Sequence, residues 1–342
     1  MSYPKYLSQK SLEKRYRDAG ISEHKIQFLK DFCLSCMNLY GAVHADELWE
    51  VYKELSEKAA IPKIQRKELY TALGIFRRED LPYYVFEADE VYCDEPRKDQ
   101  HRLLASKQLV RRGYGKFTTI YQLVERALEK PFFVPADLLT YKDPAPDTYE
   151  QELIAWLSEI PCTQTEFETS WGKTFPCAYT GKKLGEFSFI SRDDEFELRY
   201  ERGEVEGYKG NAKYAAELET ELNSTTAAER LVHEYTWECQ IGVIGPSESI
   251  KYFMNDLNEM GVLLSEEQMK RLMRGLTDCN NHLHLWCNHG WTPIEMAKRT
   301  YTPGMAAPRV QFGPGMEKAF ADGSLDREEI VRKLKEMGID VI

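Results

Sequence analysis

Helix-start signals constrain this chain more than any other feature. Asp147-Thr148-Tyr149-Glu150, Thr226-Ala227-Ala228-Glu229 and Ser265-Glu266-Glu267-Gln268 each set a side-chain acceptor three residues ahead of a Glu or Gln. In that spacing the two side chains satisfy each other's free backbone N–H groups at a helix start. Apolar stripes at three- and four-residue intervals follow. The first is Tyr149, Leu153, Trp156, Leu157 and Ile160, stopped at Pro161. The second is Leu231, Val232, Tyr235 and Cys239, with Gly242 as the stop; the third is Met269, Leu272, Met273 and Leu276. Between them, Ser247 opens a helix carrying Ile250, Phe253, Met254 and Leu257, closed by Gly261. Links this short favour antiparallel neighbours in a helical bundle.

Residues 21–95 carry a second dense pattern. Ser22 is placed to cap a helix with Ile26, Leu29, Cys33, Met37 and Tyr40 on one face, and Gly41 to stop it. Ala42-Val43-His44 reads as a short extended link. A second helix is expected over about 45–57 and a third over about 64–76, behind Pro62. Tyr83-Tyr84-Val85-Phe86 and Val91-Tyr92-Cys93 then read as two strands around the acidic turn Glu87-Ala88-Asp89-Glu90. Three helices followed by a hairpin is the order of a winged helix-turn-helix.

From 97 to 146 the pattern is helical but less regular, and Asp143-Pro144-Ala145-Pro146 reads as a linker. Further on, 186–189 and 195–200 alternate apolar and polar around Ser191-Arg192-Asp193-Asp194, the pattern of a half-exposed hairpin. The expected fold is therefore mainly α, with a minor α+β character. Residues 1–146 form a winged-helix-like unit (about 21–95) with a helical extension. Residues 147–342 form a helical bundle with a β-hairpin insert (about 177–208).

The 342 residues carry a formal charge of −11, which excludes a uniformly basic binder of nucleic acid or anionic lipid. No apolar run approaches the roughly 20 residues that cross a bilayer. Met1-Ser2-Tyr3-Pro4-Lys5 leads into a charged stretch, unlike a secretory signal. A cytoplasmic protein without a membrane partner is expected. The charge is uneven, however: residues 97–116 hold seven Lys or Arg against one Asp, and 61–78 hold five against one Glu. Lys63, Arg66, Lys67, Arg77, Arg78, Arg102, Arg111 and Arg112 are thus candidate phosphate contacts. The competing readings are that these cations solvate helix faces, pair with the acidic half of the molecule, or dock a protein. A dimer is compatible with a winged unit.

Eight cysteines fall at irregular spacing, so buried free thiols are expected. Cys33-Leu34-Ser35-Cys36 lacks the second pair of a structural zinc site and sits within a helical pattern. The densest group of metal-ligand types runs from Cys279 to His289, and on a continuous helix Cys279, His282, Trp286 and His289 would share a face. Cys279, His282 and His289 are the candidate ligands for zinc or another divalent metal, though their spacing matches neither a zinc finger nor a zinc hydrolase. The simpler reading is a helix stop at Gly290 followed by a start with Thr292 as N-cap, Pro293 at N1 and Glu295 closing the box. The phosphate-loop, nucleophile-elbow and dinucleotide fingerprints are missing from the sequence, and no catalytic residue is assigned.

The stretch Asn280-Asn281 with Trp286, Asn288, Gly290, Thr292 and Pro293 resembles the Asn-Asn…Trp-x-Asn-x-Gly-x-Thr-Pro segment of a group of uncharacterised bacterial proteins. Leu39-Tyr40-Gly41-Ala42-Val43 before Glu47-Leu48 is similar to their helix-turn-helix-like unit, and Phe132-Phe133-Val134-Pro135 to a connecting segment. The resemblance implies a bacterial source and no settled activity. Some of those proteins carry a Cys-rich SEC-C zinc motif, but its Cys-x-Cys pattern is missing here, so that site is not carried over. The leading expectation is a non-enzymatic, macromolecule-binding or regulatory protein that contacts protein or nucleic acid through its basic N-terminal unit. The alternative is a metal-dependent hydrolase or nuclease centred on His282.

Overall fold

A computed structural model describes residues 3–92, 96–112, 117–144, 147–168, 172–207, 209–242 and 245–300. In the C-terminal stretch it describes 309–310, 312, 316, 320–321, 326–336 and 340–341. The chain is mainly helical with small sheets. It forms two compact units, Met1–Pro293 and Ile294–Ile342, so the linker expected at 143–146 begins inside the first unit.

The N-terminal pattern yields α1 (Gln9–Asp18), α2 (Glu23–Tyr40), β1 (Ala42–His44), α3 (Ala45–Lys58), α4 (Arg66–Phe76) and β2 (Tyr83–Phe86). Gly41 ends α2 at φ +73°, a conformation that costs other residues strain. Val91 and Tyr92 do not form the second hairpin strand, and Cys93 lies outside the described residues. Ala88–Val91 is a single helical turn, α5, because Glu90 Oε2 accepts the N–H of Glu87 at 2.9 Å and closes a capping box. The partner of β2 comes from residues read as helical, Leu103–Ser106 (β3). β3 is the centre of an antiparallel sheet of order β1-β3-β2, with Val43 opposite Leu104 and Phe86 opposite Leu103.

The register of β3 explains why it escaped the sequence pattern. Alternate side chains of a strand face opposite sides of its sheet. Leu104 joins the core that α1 to α4 build with Leu29, Phe32, Leu48, Leu69 and Phe76. Leu103 and Ala105 face the other way, toward Leu109, Ile120, Leu123, Ile241 and Trp286. With both faces buried, no polar alternation marks the strand.

After β3 come α6 (Lys107–Arg112), α7 (Thr118–Ala127) and a 3₁₀ segment, Leu138–Lys142, that packs on α2. Next are α8 (Thr148–Ser158) and a two-stranded antiparallel pair, β4 (Glu166–Glu168) and β5 (Thr174–Pro176). The hairpin expected across 186–200 is overturned. Ser191 Oγ accepts the N–H of Asp194 and starts α9 (Arg192–Glu201), a helix. As a helix it buries Leu198 and leaves Phe196 61% exposed, so the alternation there does not reflect a strand. α10 (Ala212–Ser224), α11 (Ala227–Ile241), α12 (Pro246–Glu259) and α13 (Glu266–His282) follow. α8, α11, α12 and α13 pack around Leu157, Leu231, Val232, Leu257, Leu272 and Leu276. All three capping boxes named above are formed.

α14 (Pro293–Thr300) starts at the expected Pro. The second unit also holds β6 (Arg309–Val310), α15 (Arg327–Glu336) and β7 (Asp340–Val341), with β6 and β7 parallel. Within it the Arg327 guanidinium lies over the rings of Phe312 and Phe320.

Candidate macromolecule interface

The basic residues of the N-terminal unit divide into two groups. Lys63, Arg66 and Lys67 stand exposed at the start of α4. Arg66 is tied only to its own helix, donating from Nε to Tyr70 Oη at 2.8 Å. Behind them Lys25 of α2 takes Glu68 at 2.7 Å, which holds that carboxyl below its ordinary range. No carboxylate of α4 is therefore left to neutralise the three exposed cations.

Arg77 and Arg102 are different. Arg77 is bound through both terminal nitrogens to Glu90, each at 2.6 Å, and donates to the carbonyl of Val85 at 2.9 Å. Arg102 meets Glu87 at 3.1 Å and Asp99 at 2.6 Å, and donates to the carbonyl of Tyr70 at 3.0 Å. Its guanidinium lies over Gly74, where a side chain would crowd it. Both arginines are therefore committed to the segment joining β2 to β3. A two-pronged Arg–carboxylate pair of this kind is strong and directional. Arg97 is held by Asp89 in the same segment. Arg78 is half-buried and reaches the carbonyl of Lys5 at 3.4 Å. Arg111 and Arg112 end α6, and their side chains lie outside the described residues. Sequence reasoning missed Glu87, Glu90 and Asp99 as partners; the signal was the acidic tract between two basic ones.

The Cys/His-rich stretch is not one helix face. α13 ends at His282, Trp286–Asn288 is a 3₁₀ turn, and His289 is left-handed at φ +48°. Cys279 is buried in the helical core. His282 bonds the carbonyl of Asp278 at 2.8 Å and stacks on Tyr149. His289 bonds the carbonyl of Lys130 at 2.8 Å and stacks on Phe132. The three do not form a ligand set, and no group of three or more His, Cys, Asp or Glu placed to hold a metal occurs among the described residues. Cys33 and Cys36 are buried on the core face of α2, and burial pushes the Cys33 thiol up to about 12.

The corner works as a clasp between three distant segments. Trp286 Nε1 donates to the carbonyl of Asn38 at 2.9 Å, and Gly290 packs against Leu39 and Tyr40. Lys130 Nζ reaches the carbonyl of Cys287 at 2.6 Å and Asn288 Oδ1 at 3.0 Å. The N–H of Phe133 donates to the carbonyl of His289, and Tyr40 Oη donates to the carbonyl of Phe133 at 2.7 Å. Burial lowers the pKa of His289, while the Lys130 carbonyl pulls the other way. The neutral ring is the form this apolar stack accommodates.

A separate buried charge cluster joins α9, α11 and α12. Arg230 is held by Asp194 and donates to the carbonyl of Phe189 at 3.1 Å. Asp256 sits nearby; burial pushes its carboxyl up to about 7 against the pull of Arg230. Asp194 is thus a structural partner of Arg230 rather than a solvated turn carboxylate. No helix among the described residues is long and apolar enough to cross a membrane. The chain matches no family model, no curated protein and no solved structure.

Proposed function

We propose that the N-terminal unit is a winged-helix-like module that docks a protein partner rather than duplex DNA. The topological basis is the order α2-β1-α3-α4-β2-β3 with the central strand last. In that reading α4 is the recognition helix and 87–102 the wing. The observation that carries the protein reading is the chemistry of that wing. Glu87, Glu90 and Asp99 hold Arg77 and Arg102. A duplex binder needs such arginines free for phosphates, and an acidic wing opposes the backbone. Lys63, Arg66 and Lys67 remain as a small cationic patch suited to an acidic protein surface.

The test uses the full chain and a variant carrying Lys63→Glu, Arg66→Glu and Lys67→Glu. Nuclease-treated lysate of the source organism is passed over each, and 20–30-base-pair duplexes are titrated at low salt. The reading expects a salt-sensitive protein partner retained by the parent and lost from the variant, with no duplex shift. A duplex shift abolished by the same three substitutions would overturn it in favour of nucleic acid.

A further inference from the structure

β2 is an edge strand of the sheet β1-β3-β2, so one row of its backbone groups faces away from β3. An open row of this kind recruits extended segments unless something covers it. Residues 3–8, ahead of α1, cover this one. Tyr3 Oη accepts the N–H of Val85 at 3.1 Å, and Arg77 donates to the carbonyl of Val85 at 2.9 Å. Both backbone groups of Val85 are thus met by side chains instead of by a strand. The Tyr3 ring stands edge-on to Tyr84 and Phe86, with centroids 4.8 and 5.5 Å away. The Arg77 guanidinium lies 5.2 Å from its centre.

The cover is lightly held. Tyr3, Pro4 and Leu7 are half-buried, and Lys5, Tyr6 and Ser8 are exposed. The N–H of Leu7 donates to the carbonyl of Arg78 at 2.8 Å, and the carbonyl of Lys5 accepts from Arg78 at 3.4 Å, a long bond. Pro4 has no N–H to give a ladder, and residues 3–8 add no strand to the sheet. A segment with so little burial opens at low cost. The site that Tyr3 fills is nonetheless selective. Glu90 already balances the charge of Arg77, so the site takes a neutral ring rather than an anion. A phenylalanine there would leave the N–H of Val85 without its acceptor.

We infer that the outer edge of β2 docks an extended segment of a partner protein that presents a tyrosine, and that residues 3–8 fill the same site in cis as a displaceable strap. The partner's tyrosine takes the place of Tyr3. Its ring lies against Tyr84 and Phe86 under Arg77, and its hydroxyl accepts the N–H of Val85. Strand edges are a recurrent means of holding extended peptides, and the occupant in cis shows which side chain this edge accepts. The surface is separate from the cationic patch, since Arg77 follows the last residue of α4 and Lys63, Arg66 and Lys67 stand at its start. It holds or fails independently of the docking role proposed for that patch.

Fluorescence anisotropy with a labelled, acetylated peptide copying residues 3–8 tests the inference on the full chain and on its Tyr3→Ala variant. The variant empties the site, so the peptide should bind it saturably. Binding to the parent should be weaker by about tenfold or more, because the tethered strap competes. Replacing the first tyrosine of the peptide with phenylalanine should weaken binding to the variant about tenfold, as for a buried donor left unpaired. Equal binding to parent and variant, equal binding of the two peptides, or no saturable signal at millimolar peptide overturns it. Sedimentation of the parent adds a second check: a dimer that Tyr3→Ala abolishes would give the edge to the strap of a second copy, and overturns the partner reading. Should Tyr3→Ala fail to fold, Tyr3→Phe, which keeps the ring, takes its place and should bind the tyrosine peptide more tightly than the parent does.

Discussion

The indole of Trp286 fills the space that a β-carbon on Gly41 would occupy. The two residues are 245 positions apart in the numbering, yet each requires the other. Gly41 supplies the left-handed stop of α2 and the clearance, and Trp286 fills that clearance while bonding Asn38.

Gly41→Ala is expected to destabilise the first unit by about 3 kcal/mol, from left-handed strain plus overpacking. Trp286→Ala should cost about 3–5 kcal/mol, as for a large buried aromatic. Urea unfolding of single and double variants checks the pair. The double variant should lose less than the sum, because removing the indole relieves the clash; strict additivity would mean that the contact carries no energy.

The two classes of basic residue should separate in stability. Glu90→Gln takes the two-pronged carboxylate from the Arg77 guanidinium and leaves it only Glu87 at 3.8 Å, in a site where the side chains are nearly buried. A loss of about 2–3 kcal/mol is expected, below the full cost of a deeply buried pair. Lys63→Ala, Arg66→Ala and Lys67→Ala touch exposed side chains and should each stay within about 0.5 kcal/mol. Thermal melts of the four variants read this directly, and equal losses across the set would contradict the division.

Where one face is buried and one wet, the sequence was legible. α2, α3, α4, α8 and α11 follow their stripes closely; α12 keeps its stripe but starts at Pro246 behind Gly245 rather than at Ser247, and α13 keeps its box and stripe but ends at His282. Three things were hidden. β3 is buried on both faces and so lacks a period. α9 alternates by chance over six residues, and its Ser191–Asp194 capping box outweighs that pattern. The sharing of carboxylates across the sheet connection depends on the fold bringing Glu87 and Glu90 back to Arg102 and Arg77, which spacing alone does not reveal. At the Cys/His-rich corner the start at Pro293 was readable, but the helix expected to stop at Gly290 ends earlier, at His282. That the residues between them grip 38–41 and 130–133 was not readable. Trp286, Asn288 and Gly290 all belong to that grip.

His289 should make the clasp sensitive to acid. Burial holds its pKa below the ordinary 6.5, so the folded protein binds this proton less readily than the unfolded chain. Its contribution is full above 6.5 and is lost as pH falls below that value. Asn also tolerates the left-handed backbone at this position. His289→Asn should therefore be less stable than the parent at pH 8, with the gap narrowing toward pH 5. Urea midpoints for both proteins across that range check it; a gap that stays constant would remove His289 from the titration.

Asp256 should act in the opposite direction. Burial is the main cause of its rise from 3.8 to about 7, and Asp194, Glu259 and Glu234 add to it, while Arg230 opposes. Arg230 is already engaged by Asp194, so its help to a second carboxylate is divided. The folded state therefore holds a proton on Asp256 where the unfolded chain has lost it. The stability from that proton is fully present below 3.8 and is lost as pH rises through about 7. Asp256→Asn replaces the protonated carboxyl with a neutral group of similar shape. Near pH 5 it should change stability little; at pH 8 it should stabilise the protein by about 2 kcal/mol, by removing a poorly compensated charge. Asp194→Asn should destabilise at both values, because it strips Arg230 of its direct partner. Urea unfolding of the two variants at pH 5 and pH 8 separates the roles, and an Asp256→Asn effect that is equal at both pH values would show that this carboxyl does not titrate between them.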